Sequence, residues 1–355
     1  MGDFDLNEIQ QSINPKKEKK SSKAFLKKIL KFIIVVVPIL IVGLATNYIF
    51  SLKYRNRDEV INIGYVEQES VVLFTIADEL KYFDDAGIPV ELRKFKNEED
   101  LIKAWDKGKL DLLVLEDIGF VLNTGSFKSS RVISTVARYD TYKYIVDLKK
   151  SIYKISDLNS KTIGVEDDDN STFWLESGLQ NSGVNRQTIN IVHFKPKDLG
   201  EELANGFVDA VFAKNLDAYN ALKFSNTEIQ SLGLSAQGEK KANALLVATD
   251  DYIEDQDTEL NQVLTALVTA KDYYDNNKES VSNILIAKWS VEKGYVTEIT
   301  KSYNYDLVLD SKLTELMISE VTWARSRGKI KEVVDIKPLI NYNLLRKIKP
   351  ENVTF

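Results

Sequence analysis

Cysteine is absent from the 355 residues and His193 is the single histidine. Thiolate nucleophiles, disulfides and thiolate metal sites are thereby excluded, and a His-based metal site or a Ser-His-Asp triad would have to be built around His193, where no motif supports one. His193 sits in Ile191-Val192-His193-Phe194, which reads as a strand with a structural histidine. The residues that could do chemistry are acids. Glu67 stands just after Gly64-Tyr65-Val66, and the run Glu166-Asp167-Asp168-Asp169 stands just after Thr162-Ile163-Gly164-Val165. In both places an apolar run gives way to a helical pattern. Carboxylates there can hold a cation, or can cap the helix that follows and sit against its positive end. The chemistry that this points to is binding, with no catalytic residue, metal or cofactor expected.

The elements that must position these loops alternate between strand and helix patterns from Val60 onward, which indicates α/β layers with parallel sheets. Val60–Val66 reads as a strand, and Val72, Leu73, Ile76, Ala77 and Leu80 make one helical face. Pro89–Phe95 reads as a second strand. Asn97 can cap a helix over Glu98–Lys107, with Gly108 past its end, and Leu110–Leu115 has the length of a third strand. The same signals recur about a hundred residues later. Thr162-Ile163-Gly164-Val165 echoes Asn62-Ile63-Gly64-Tyr65, and Gly206-Phe207-Val208-Asp209 echoes Gly108-Lys109-Leu110-Asp111. Two lobes of one βαβ construction follow. In such sheets ligands sit beyond the carboxyl ends of strands, so loops Tyr65–Ser70 and Glu166–Thr172 would face each other across a cleft.

The ends of the chain differ in charge. Residues 1–53 hold nine Lys and four acids, a balance of +5 within a total of −6, so the remainder carries −11. That acidity argues against a nucleic-acid surface. Phe32–Leu52 is uncharged for 21 residues, long enough to cross a hydrocarbon core of about 30 Å. Its apolar run is too long for a cleaved signal, so an uncleaved anchor at 31–52 is expected. Eight lysines precede the span and Lys53, Arg55 and Arg57 follow it, which leaves the basic tail 1–30 in the cytoplasm and residues from about 54 outside. An apolar content of 44% with 28% charged residues fits a folded chain.

Several motifs resemble the periplasmic substrate-binding proteins of ABC transporters, in the sulfonate, nitrate, taurine and thiamine-pyrimidine (NMT1/THI5-like) group. They are Gly64-Tyr65; Ala77 to Gly87 with Tyr82-Phe83; Val90-Glu91-Leu92; Ala104 to Asp111; Ile155 to Val165; Leu203 to Ala210; Ala244 to Asp251; and Ile336 to Ile348. The resemblance implies a type II periplasmic-binding-protein fold, with lobe 1 over 58–146 and 244–335, lobe 2 over 147–243, and a C-terminal tail at 336–355. Two extended crossings, near Tyr144–Leu148 and Ala242–Thr249, would form the hinge. It further implies that ligand is held by Tyr65, Glu67 and Gln68; by Glu116 and Asp117; by Ser171 and Thr172; and by Phe212 and Asn215, the last standing where proline is common. Glu116-Asp117 replaces the small residues usual after that strand.

An oxyanion wants backbone N–H groups with Arg or Lys nearby, whereas Glu67, Glu116, Asp117 and the run from Glu166 favour a nitrogenous or cationic ligand over a sulfonate. The acidic run also has the simpler role of a solvated helix start. Tyr139, Tyr142, Tyr144 and Trp174 read as packing. The expected function is a membrane-anchored, extracytoplasmic solute-binding protein serving an ABC permease. The alternative is a degenerate module or sensor acting through a membrane partner. The family's cofactor-consuming enzymatic branch carries a cysteine-rich motif that this chain lacks.

Overall fold

The computed structural model describes residues 60–223, 229–233 and 241–354. The expected tail at 1–30 and anchor at 31–52 lie outside the described residues. Among those described, no helix is long and apolar enough to cross a membrane.

In chain order the elements that place the site are β1 (Ile61–Tyr65), α1 (Val72–Glu79), β2 (Val90–Lys94), α2 (Glu98–Asp106), β3 (Leu112–Glu116), α3 (Asp117–Leu122), β4 (Ser130–Tyr139) and β5 (Lys143–Asp147). They continue with β6 (Thr162–Glu166), α4 (Asp169–Asn181), β7 (Asn190–Phe194), α5 (Leu199–Ala204), β8 (Ala210–Ala213), α6 (Asn215–Lys223), β9 (Ile229–Gly233) and β10 (Ala242–Thr249). The C-terminal part adds α7 (Asp257–Asn276), α8 (Lys278–Trp289), α9 (Lys293–Ser302), β11 (Tyr303–Asn304), α10 (Ser311–Ser326) and α11 (Tyr342–Ile348).

Two mixed sheets organise the chain. The first runs β11-β4-β10-β3-β1-β2 and the second β7-β6-β8-β5-β9. β1 is parallel to β2 and β3, while β10 is antiparallel to both β3 and β4. In the second sheet β6 is parallel to β7 and β8, and β5 runs antiparallel to β8 and β9. β3 is buried along its whole length, as its unbroken apolar run requires of a strand covered on both faces. The first change of sheet falls at 140–142, ahead of the boundary read at 146. The backbone of Lys143–Asp147 already pairs with β8 and β9 of lobe 2. Ala242 and Asn243 likewise pair with Tyr139 and Arg138, so they belong to lobe 1.

The repeat seen in the sequence has one physical cause in both lobes. Gly108 and Gly206 end α2 and α5 with φ of +63° and +71°, the left-handed turn that glycine adopts at least cost. Three residues on, Asp111 accepts from the Asn62 N–H at 2.8 Å and Asp209 from the Thr162 N–H at 2.9 Å. The backbone closes the same ring in reverse, Asp111 N–H to Asn62 O and Asp209 N–H to Thr162 O, both 2.9 Å. Each aspartate thus locks a helix exit onto the start of a parallel strand of its lobe, β1 or β6.

Asn97 caps α2 as its position suggests, accepting from the Asp100 N–H at 2.9 Å. The stripes Leu260, Val263, Leu264, Leu267 of α7 and Leu313, Leu316, Met317, Val321, Ala324 of α10 are buried, and Gly328 follows α10 with φ +68°. In α11, Leu344 and Leu345 are buried, which ties the C-terminal segment into the core.

Candidate functional site

Between the lobes lies a cleft of about 520 Å³, lined by Glu67, Glu98 and Glu116 from lobe 1 and by Glu166, Asp168 and Lys214 from lobe 2. Each side chain arrives at a strand end. Glu67 follows β1, Glu116 ends β3, Glu166 ends β6, and Lys214 follows β8. This is the arrangement that parallel strands impose, since loops at their carboxyl ends collect on one side of the sheet.

Glu116 is the centre of the site. Its residue is 5% exposed, and its carboxylate accepts from the Tyr142 hydroxyl at 3.0 and 3.1 Å, the Trp174 indole at 2.8 Å and the Lys214 ammonium at 3.0 Å. Lys214 also stands 3.4 Å from Glu67 Oε1 and 5.2 Å from the centre of the Tyr142 ring. Burial works against the charge on Lys214, yet Glu116 and then Glu67 outweigh it and hold its pKa well above the ordinary lysine value. Asn215 donates to Glu67 Oε2 at 2.6 Å, and its amide oxygen accepts from the Tyr303 hydroxyl at 2.8 Å. Asn215 has φ +51°, a left-handed conformation that asparagine tolerates and that proline, fixed near −65°, does not.

Other acids around the cleft lack such a partner. Burial pushes Glu98 up to about 7, with the Asn170 amide, 3.0 Å from its Oε1, pulling the other way and the Glu116 charge adding to the rise. Glu98 is admitted by Gly119, where an added Cβ would collide with the carboxylate. Glu166 is pushed up to about 8 by burial and by the neighbouring Asp168. Asp168 Oδ2 is buried and accepts no hydrogen bond. Glu69, buried beneath Glu67, is raised to about 7 by burial and by the Glu67 charge, and it accepts from the Tyr295 hydroxyl. Among the described residues no group of three or more His, Cys, Asp or Glu is disposed to hold a metal ion.

The residues singled out in the sequence divide. Glu67 and Asn215 meet directly, Glu116 joins them through Lys214, and Tyr65 is half-buried near Glu69. Gln68 faces outward, accepting from Lys94 at 2.9 Å. Asp117 points into the core of lobe 1: it is fully buried, accepts from the Asn243 N–H at 3.0 Å and the Asn243 amide at 2.6 Å, and lies against Glu320. One residue past the strand end, the helical turn has carried it away from the cleft. In the first turn of α4 the Ser171 backbone N–H donates to Asp168 Oδ1 and the Thr172 hydroxyl to Asp168 O, and the Ser171 residue is buried. Phe212 is buried under Tyr142, with rings 5.5 Å apart. Of the acidic run, Asp168 caps α4, Asp169 pairs with Lys329 at 2.7 Å, and Asp167 lies 3.6 Å from a half-exposed His193. Missed in the sequence were Lys214, Glu98 and Asn170. Lys214 had one signal, its place between Phe212 and Asn215.

The NMT1/THI5-like family model matches residues 68–287, which takes in Glu116, Tyr142, Trp174, Lys214 and Asn215. The chain belongs to the NMT1/THI5-like family. No curated protein sequence matches it. Among solved structures, this NMT1/THI5-like chain is similar to the periplasmic aliphatic sulphonate binding protein SsuA from Escherichia coli, with a TM-score of 0.69 at 15% identity over 79% of this chain and 97% of that one. The alkanesulfonate-binding protein SsuA from Xanthomonas axonopodis pv. citri, bound to MOPS, gives 0.65 at 15% over 81% and 100%. The desulfurization enzyme DSZB gives 0.62 at 14% over 81% and 98%. At these identities the likeness is one of fold. The chain has the periplasmic-binding-protein fold, and that fold serves binding proteins and at least one enzyme.

Proposed function

We propose that this chain is a solute-binding protein held at the outer face of the membrane by residues 31–52, and that its lobes close on a small organic ligand with a nitrogenous or cationic group for delivery to an ABC permease. The carrying observation is the cleft, to which both lobes contribute carboxylates and in which Lys214 is the cation that meets Glu67 and Glu116. Asp168 Oδ2 stands ready as an acceptor there. The two SsuA proteins bind aliphatic sulphonates and alkanesulfonates. An anion at the centre of this cleft would face Glu67 and Glu116, whose two charges Lys214 alone offsets, so a sulfonate is disfavoured by charge there. No catalytic role is assigned to any residue.

A second reading has an observation of its own. Away from the cleft the lobes are joined through Glu176 of α4, which accepts from Trp323 at 2.8 Å and from Arg327 at 2.6 and 3.0 Å. Such bridges suit a module whose shape is read by a membrane partner.

Thermal unfolding of the full chain in detergent, against amines, amino-pyrimidines, polyamines, nitrate and sulfonates, separates the two. A ligand at 100 times its Kd adds about 2.7 kcal/mol and a clear rise in Tm. A rise with an amine or pyrimidine that Glu67→Gln abolishes supports delivery of a cationic solute. A rise with a sulfonate keeps the transport reading and overturns the ligand class. No rise with any compound favours the partner-reading module.

A further inference from the structure

Around the Lys214 ammonium the donors and acceptors are allotted one by one. Glu116 has Oε1 held by the Trp174 indole, shares the Tyr142 hydroxyl between its two oxygens, and presents Oε2 to the ammonium. Glu67 has Oε2 held by the Asn215 amide, itself fixed by Tyr303, and presents Oε1. The Tyr142 ring closes a third side. Two carboxylate oxygens whose partners are anchored by neutral donors, together with one aromatic face, are what a group with three N–H donors and a single charge requires. A quaternary ammonium could not donate, and a guanidinium would want both oxygens of one carboxylate. Lys214 lines the cleft and carries its ammonium on a flexible stem, so its position can be yielded to a competitor.

We propose that Glu67, Glu116 and Tyr142 form a primary-ammonium site, filled in cis by Lys214 and open to a small molecule whose own amino group displaces it. This names the ligand class of the cleft and rests on the solute-binding reading for the ligand's entry. Lys214 is then a specificity-determining residue: it sets the concentration at which an amine competes.

Chemical rescue in the full-length protein tests this with ethylammonium as probe. Lys214→Ala is expected to lower Tm by about 5 °C, since a buried carboxylate loses its charged partner. Ethylammonium should restore most of that loss saturably, binding at least tenfold more tightly than to the native chain, while tetramethylammonium restores none. Lys214→Met, which fills the stem's path without the charge, should not respond to ethylammonium. Equal responses to ethylammonium and tetramethylammonium, or none in Lys214→Ala, would overturn the site. Should Lys214→Ala not fold, Lys214→Ser, which also leaves the stem's path empty, gives the same test through the fluorescence change that the probe causes beside Trp174, and no saturable change there overturns it equally. Rescue without any native-chain ligand in the compound panel upholds the site and removes the delivery reading. A native-chain sulfonate ligand without rescue does the reverse.

Discussion

The two lobes repeat one construction and then put opposite charges at the same place in it. Counting five residues from the locking aspartate gives Glu116 from Asp111 in lobe 1 and Lys214 from Asp209 in lobe 2. These equivalent positions face each other across the cleft at 3.0 Å. One step further the copies diverge again: Asp117 turns into the core of its lobe against Asn243, whereas Asn215 takes a left-handed backbone and reaches Glu67 of the other lobe. The repeat fixes where a side chain emerges. What it does there depends on a single residue type and a single φ, so likeness of fold carries little information about ligand.

Exchanging the charges is the sharpest way to break this comparison. Glu116→Lys alone should cost roughly 3 to 5 kcal/mol by denaturant unfolding, because two cations then share one enclosed place. Glu116→Lys with Lys214→Glu should recover a good part of it, and a pair of purely additive losses would show that the equivalence has no energetic meaning. Next comes the divergent backbone. Asn215→Pro should cost about 3 kcal/mol or more, since the ring cannot take φ +51°, while Asn215→Gly keeps the turn and loses two hydrogen bonds at about 1 kcal/mol each. Similar losses for the two variants would mean the turn is not required.

Smaller still is the difference between the locks. Asp111→Ala should cost about 2 kcal/mol and Asp209→Ala about 1 kcal/mol, as Asp111 is the more buried and also accepts from the Asn62 side chain at 3.1 Å. A larger loss at Asp209 would reverse the ranking. The last effect is pH. Glu69, Glu98 and Glu166 are raised from 4.5 to about 7, 7 and 8, chiefly by burial, so the folded chain holds protons that the unfolded chain has released. Stability therefore falls as pH rises from about 4.5 to 8, so Tm should be higher at pH 6 than at pH 8, with a stability difference of about 1 kcal/mol from Glu69 alone. Glu69→Gln should flatten that slope, and an unchanged slope would place the titration elsewhere.

The repeat was legible because turns are local: a glycine past a helix and an aspartate three residues later are constrained by their near neighbours, and both copies carry them. Asn97 was legible as a cap for the same reason. The site was legible in part. Glu67 and Glu116 stand at strand ends, which the topology alone brings together. Lys214 was not read because one lysine after an apolar strand looks like a surface charge, and its partners lie 98 and 147 residues away. Asp117 was read into the cleft because sequence does not show on which side of a strand end the next helix starts. The acidic run owed its charge largely to capping and surface pairs.

The order of the first sheet has a consequence for how the chain is made. Among the described residues β4 pairs with β10, with β11 and, at Val132, with Ile340, and all three lie beyond lobe 2 in the sequence. As the polypeptide emerges from its N-terminus, Ser130–Tyr139 is complete while both of its edges are still bare, and it stays so until the whole of lobe 2 has followed. A strand of this length rich in Val, Ile and Thr is a template for pairing with another chain during that interval. Lobe 2, contiguous in sequence, can fold in the meantime, so the interval of exposure is set by the length of the inserted lobe, and a chaperone that shields one extended segment would have its natural target at β4.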